Sequence, residues 1–180
     1  MAAHDYSNTM VLVPGWHAHA MLRMGRKIPD KHLKAETGAS YGGGTSATGR
    51  ETEPHITVKY GIAENTPPAK LRRALAGFGP VRAKFGATSL FKNDDAHVVK
   101  IDIDSPDLHR LNALIGKTIE TPGNTHPDYK PHATIAYVKP GYGAAHDGDH
   151  TLSGQWVEFD TLVFSGKDDR RHTIPLTKKR

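Results

Sequence analysis

A short alternation of apolar and polar residues occurs twice in this chain, as PHITVKY at 54–60 and PHATIAY at 131–137. Alternation of that kind, rich in β-branched residues, predicts a strand with one face turned to a core. Further strands are predicted at Met10–Val13, closed by Pro14-Gly15, and at 81–91 and 97–103 around the turn residues KNDD. Two more are expected near 155–164 and 171–176, turning at GKDD. Elsewhere the period lengthens to that of a helix. Thr66-Pro67-Pro68 offers an N-cap and first-turn prolines to AKLRRALAGFG, where Leu71, Ala74, Leu75 and Phe78 share a face and Gly77 or Gly79 ends it. Ser105-Pro106 does the same for DLHRLNALIG, with Leu108, Leu111, Leu114 and Ile115 together and Gly116 as the stop. Residues 38–49, GASYGGGTSATG, hold five glycines and little to bury, so they read as a mobile loop insertion. A second Gly-rich loop covers 139–150. A strand-rich order with two helices, each beside one histidine motif, predicts a single α+β domain over 1–180, built of two similar lobes rather than a doubly wound parallel sheet.

Composition removes several chemistries. The chain has no cysteine, which excludes disulfides, a thiol nucleophile and thiolate metal ligands. Lys and Arg exceed Asp and Glu by 24 to 19, for a net charge of +5 and a pI near 9.4. That excess favours anionic partners such as nucleotides or RNA. The apolar run Met10–Val13 is far shorter than the ~20 residues of a membrane span and does not make a signal peptide. A monomer in the cytoplasm with no membrane partner is expected.

The repeat carries the chemistry. With 12 histidines and 16 threonines in 180 residues, chance alone supplies about one His-x-Thr, so the triplet by itself is uninformative. The longer match is different: Pro, His, Thr and Tyr recur at the same offsets, with a β-branched residue between Thr and Tyr. Strand geometry puts His55 with Thr57 on one face and Ile56, Val58 and Tyr60 on the other. In the second copy His132 and Thr134 face one way, and Ala133, Ile135 and Tyr137 the other. Two imidazoles suit an acid/base pair at neutral pH, and the hydroxyls can hydrogen-bond phosphate oxygens as charge builds on them. Ordinary strand packing would not require both polar positions to recur.

PHITVKY and PHATIAY resemble the paired His-x-Thr motifs of the 2H phosphoesterase superfamily, the LigT-like or 2′,5′ RNA ligase proteins. The resemblance spans most of the chain. It implies a pseudo-twofold α+β fold of antiparallel sheets with flanking helices and a cleft between the lobes. It also implies metal-independent phosphodiester cleavage by His55, Thr57, His132 and Thr134. The PHITVKYG wording and the Gly-rich insertion are further similar to phage-encoded members, some of which degrade cyclic oligonucleotide signals of antiphage defence. The expected substrate is therefore a nucleotide phosphodiester, foremost a cyclic oligonucleotide. RNA ends bearing 2′,3′-cyclic phosphates or 2′,5′ linkages are the alternative, and a non-catalytic nucleotide-binding module is the rival from another class.

Around the motifs, Tyr129 and Lys130 stand where a base or phosphate reaches the cleft edge, and Lys59 shares the predicted face of Thr57. Trp16 and Tyr41, read as lying in flexible segments, are candidates to stack on a base. His17-x-His19 and His146–His150 lack a helical HExxH or a partner carboxylate, and GGGTSATG lacks a Walker lysine. No metal or cofactor is expected.

Overall fold

The computed structural model describes residues 6–35, 48–124, 128–166 and 170–178. Among them, eight strands form one sheet: β1 (Ser7–Leu12), β2 (His55–Ile62), β3 (Val81–Lys92), β4 (His97–Asp104), β5 (His132–Val138), β6 (Trp156–Phe159), β7 (Thr161–Ser165) and β8 (Arg171–Pro175). Their order is β6-β3-β4-β5-β2-β1-β7-β8, and every pairing is antiparallel. The two motif strands lie at the centre. Each is flanked by its own set of strands, and these are the two lobes.

The segment expected as one strand near 155–164 breaks at Asp160 into β6 and β7, which sit toward opposite ends of the sheet order. One linking residue spans only several ångströms. The sheet must therefore bend round until its ends approach, and the Leu176 N–H donating to the Asp160 carbonyl at 2.7 Å carries the β7–β8 ladder up to that joint.

Among the described residues three α-helices support the sheet: α1 (Gly15–Lys27), α2 (Pro68–Ala74) and α3 (Pro106–Thr118). Ser105 caps α3 by accepting the Leu108 N–H at 3.0 Å, with Pro106 in the first turn where its missing donor costs nothing. The helix runs two residues past Gly116, which is not among the positive-φ glycines and so does not terminate it in the left-handed conformation. α1 was not anticipated, since Pro14-Gly15 reads as a turn. Met21, Met24 and Ile28 nevertheless stand at helical spacing, and all three are buried.

One continuous core results. It joins Met21 and Met24 of α1, Leu111 and Ile115 of α3, and Ile56, Val58, Ala133 and Ile135 from the motif strands. The helices thus cover the apolar face of β2 and β5, and the His-x-Thr face lies opposite.

Candidate active site

β2 and β5 meet through a single bridged pair, Ile56 with Ala133. Both residues directly follow the histidine of their motif, so a local twofold axis passes between them. In antiparallel register, one residue to either side sets His55 across from Thr134 and Thr57 across from His132. Four polar side chains from two distant stretches of sequence are gathered on one patch of sheet.

The two halves repeat in detail. Pro54 accepts the Val13 N–H at 2.9 Å, and Pro131 accepts the Ile103 N–H at 3.1 Å, so each motif is pinned where its strand starts. His55 Nδ1 lies 2.8 Å from the Glu53 carbonyl, and His132 Nδ1 lies 2.8 Å from the Lys130 carbonyl. A carbonyl only accepts, so Nδ1 carries the hydrogen in both rings and Nε2 is left for proton exchange. Burial lowers the pKa of His132; the Lys130 carbonyl opposes this, Lys100 and His55 push it down further, and Asp102 opposes them. The two rings therefore lie within electrostatic reach of each other.

Each motif also carries a β-bulge at the same offset. Met10 pairs with Thr57 and Thr9 with Lys59, leaving Val58 extra. Lys100 pairs with Thr134 and Val99 with Ala136, leaving Ile135 extra. A bulge reverses the alternation beyond it. Lys59 and Ala136 are consequently buried, while Tyr60 and Tyr137 are half-buried, contrary to strict period-2 reading. Lys59 accordingly does not stay beside Thr57: its Nζ reaches Gly116 of α3 on the core side, and burial lowers its pKa.

The other predicted contacts fall in varied places. The Tyr129 hydroxyl donates to the Thr57 carbonyl at 2.9 Å and its ring packs on His109, 5.3 Å between centroids. Burial raises the Tyr129 pKa well above its ordinary value, so it remains a donor tying the β5 approach to β2. Lys130 is exposed, and its carbonyl orients His132. Trp16 belongs to the first turn of α1, not to a flexible segment; it is 55% exposed and stacks on His17 at 4.2 Å. Tyr41 lies outside the described residues.

Several groups near the histidines escaped the sequence reading. Glu51 Oε2 stands 3.7 Å from His55 Nδ1. Lys100 is buried on β4, bonded to Asp102 and Ser89, and its Nζ lies 4.2 Å over the Phe91 ring. Phe91 in turn meets His132 edge-on at 4.9 Å. The signal for Lys100 and Asp102 was present in HVVKIDID, where they interrupt an apolar strand at alternate positions.

A pseudo-twofold antiparallel sheet with paired His-x-Thr strands at its centre defines a phosphoesterase of the 2H class. The 2′-5′ RNA ligase superfamily matches residues 30–152, more than half of the chain, and the chain belongs to it. By that membership it is a phosphodiesterase. Usb1 of Kluyveromyces marxianus has a similar structure, with a TM-score of 0.58 at 10% identity over 97% of this chain and 99% of that one. The same protein with uridine monophosphate gives 0.56 at 11% identity, covering 96% and 99%. A structure described as a phosphoesterase gives 0.52 at 15% identity, covering 96% of each. At such identities the likeness is one of fold. No curated protein sequence matches the chain significantly.

Proposed function

We propose that this chain cleaves nucleotide phosphodiesters without a metal, using His55 and His132 as a proton-accepting and proton-donating pair. The observation that carries this reading is the Ile56–Ala133 bridge, which centres two imidazoles with free Nε2 atoms and two threonine hydroxyls on one patch. Thr57 and Thr134 hydrogen-bond the non-bridging phosphate oxygens, and each histidine handles one of the two bridging oxygens. Tyr129 and Lys130 shape the approach, and Trp16 is available to stack on a base.

The favoured substrate is a small cyclic oligonucleotide of the kind used as an immune signal, because a net charge of +5 offers only modest pull on a long backbone. The second reading is processing of RNA ends; it draws support from the superfamily's name and from the uridine monophosphate bound to the similar Usb1.

The test is incubation of pure protein, in excess EDTA, with cyclic dinucleotides, 2′,3′-cyclic nucleotides and 2′,5′-oligoadenylates. Turnover that survives chelation and is fastest on a cyclic dinucleotide is expected. Activity abolished by EDTA would overturn the metal-free mechanism, and preference for 2′,3′-cyclic ends would select the second reading.

A further inference from the structure

The two imidazoles share a backbone setting but stand against different groups, a buried carboxyl on one side and an ion pair on the other. Behind His55, the Glu51 side chain is 3% exposed. Its Oε1 accepts the N–H groups of Thr52 and Glu53, both at 2.8 Å, which leaves Oε2 turned to the ring at 3.7 Å. The matching position four residues before His132 is Asp128, which is exposed. On that side the nearby buried charge is instead a cation. Lys100 is 5% exposed and pairs across the ladder with Thr134, while Asp102 pairs with His132. Ser89, Lys100, Thr134 and His55 thus form one cross-strand row toward the middle of the site. An ammonium has three donors, and Asp102 and Ser89 take two of them.

We propose that Lys100 and Glu51 divide the work of the site: Lys100 binds the substrate phosphate beside His132, the general base, and Glu51 holds His55 as the general acid. This rests on the function proposed above. In the reaction His132 Nε2 takes the proton of the attacking hydroxyl, from water or an adjacent sugar, as its oxygen bonds to phosphorus. The bond from phosphorus to the leaving oxygen breaks, and His55 Nε2 gives that oxygen its proton. One proton has then passed from His55 to His132, and exchange with solvent resets the pair. Lys100 contributes its third donor and its charge without exchanging a proton, and is a catalytic residue; Glu51 acts through His55 and is a positioning residue.

The groups around each ring agree with this division: burial raises the Glu51 pKa, while His55 and the Glu53 and Thr52 N–H groups draw it back toward the charged form. His132 faces Lys100, Asp102 and His55, and its lowered pKa leaves it uncharged at neutral pH. His55 faces Glu51, His132 and the backbone of Glu53, whose carboxylate is held by Arg171 at 2.7 Å.

The experiment compares a 3′,5′-linked dinucleotide with the corresponding nucleoside 3′-(p-nitrophenyl phosphate), whose leaving phenolate needs no proton. His55→Ala is expected to lose ~10²-fold or more on the dinucleotide and to regain most of it on the nitrophenyl ester, while His132→Ala loses on both. Glu51→Gln, which keeps the backbone hydrogen bonds, follows the His55 pattern, with a smaller loss on the dinucleotide that the nitrophenyl ester largely restores. Lys100→Met is expected to lose ~10²- to 10³-fold on both substrates and to move the acidic limb to higher pH, with Lys100→Arg recovering part of the rate. Rescue of His132→Ala instead of His55→Ala reverses the assignment. Full activity in Lys100→Met, or equal losses on the two substrates in Glu51→Gln, overturns the role of that residue. Two unaffected histidine variants would instead refute the underlying function.

Discussion

The β2 and β5 halves of the site are alike in backbone and unlike in surroundings. Each opens on a proline carbonyl pinned by a neighbouring strand, directs Nδ1 to the carbonyl two residues earlier, and bulges three residues after its histidine. These features depend on main-chain geometry, so a repeated sequence reproduces them. What stands across each strand is not repeated. β1 sets Met10 and Leu12 opposite Thr57 and His55, whereas β4 sets Lys100 and Asp102 opposite Thr134 and His132. One half is bordered by apolar residues and the other by an ion pair. A duplicated scaffold has thereby acquired two different electrostatic environments for two chemically identical rings.

The comparison breaks most visibly at the histidines. His55→Ala and His132→Ala are each expected to lower turnover by ~10² or more on a natural linkage, as removal of acid or base help does. Thr57→Ala and Thr134→Ala should each cost less. Steady-state kinetics on the best substrate of the panel checks this, and a threonine variant worse than either histidine variant would contradict the roles given to both.

A smaller effect tests the tie between the halves. Tyr129→Phe removes the hydroxyl bonded to the Thr57 carbonyl and leaves a partly buried acceptor without its donor, at an expected cost of about 1 kcal/mol in urea unfolding. The same measurement on His109→Ala, which removes only the ring beside Tyr129, separates the hydroxyl from the packing.

The smallest effect is in pH. The folded pKa of His132 lies below its ordinary value of 6.5, so the unfolded chain binds the extra proton first as pH falls. Its contribution to stability is complete above about pH 6.5 and declines as pH drops through the folded value. His17 and His146, also lowered by burial, act in the same direction. Unfolding between pH 7.5 and 5.5 should show less acid destabilisation in His132→Gln than in the unaltered protein. An equal slope would mean that the ring titrates alike folded and unfolded.

Much of the fold was legible from local pattern. β2, β3, β4, β5, β8 and α3 fall near their predicted positions, because each has a strong period and a Pro, Ser or Gly at its ends, whereas α2 starts as predicted but stops at Ala74, leaving Leu75 and Phe78 outside it and Gly77 beyond its end. α1 hides behind a turn-like Pro14-Gly15, although the spacing of Met21, Met24 and Ile28 is a local helical signal. β6 and β7 read as one strand because nothing local at Asp160 announces a change of lobe, and Lys59 was misplaced by a bulge that only strand pairing reveals. In these last two cases a long-range partner overrode a local preference.

The sequence by itself determined that His55, Thr57, His132 and Thr134 are two copies of one strand motif, since side-chain alternation over three residues is a property of the extended chain. Tertiary structure decided everything that depends on distance across the sheet. It alone brought β2 beside β5 on a single bridge, turned Lys59 toward α3, and placed Glu51 behind one histidine and Lys100 beside the other. Electrostatic influence falls with separation in space, and Lys100 stands 45 positions from His55 in the chain but two strands away in the sheet.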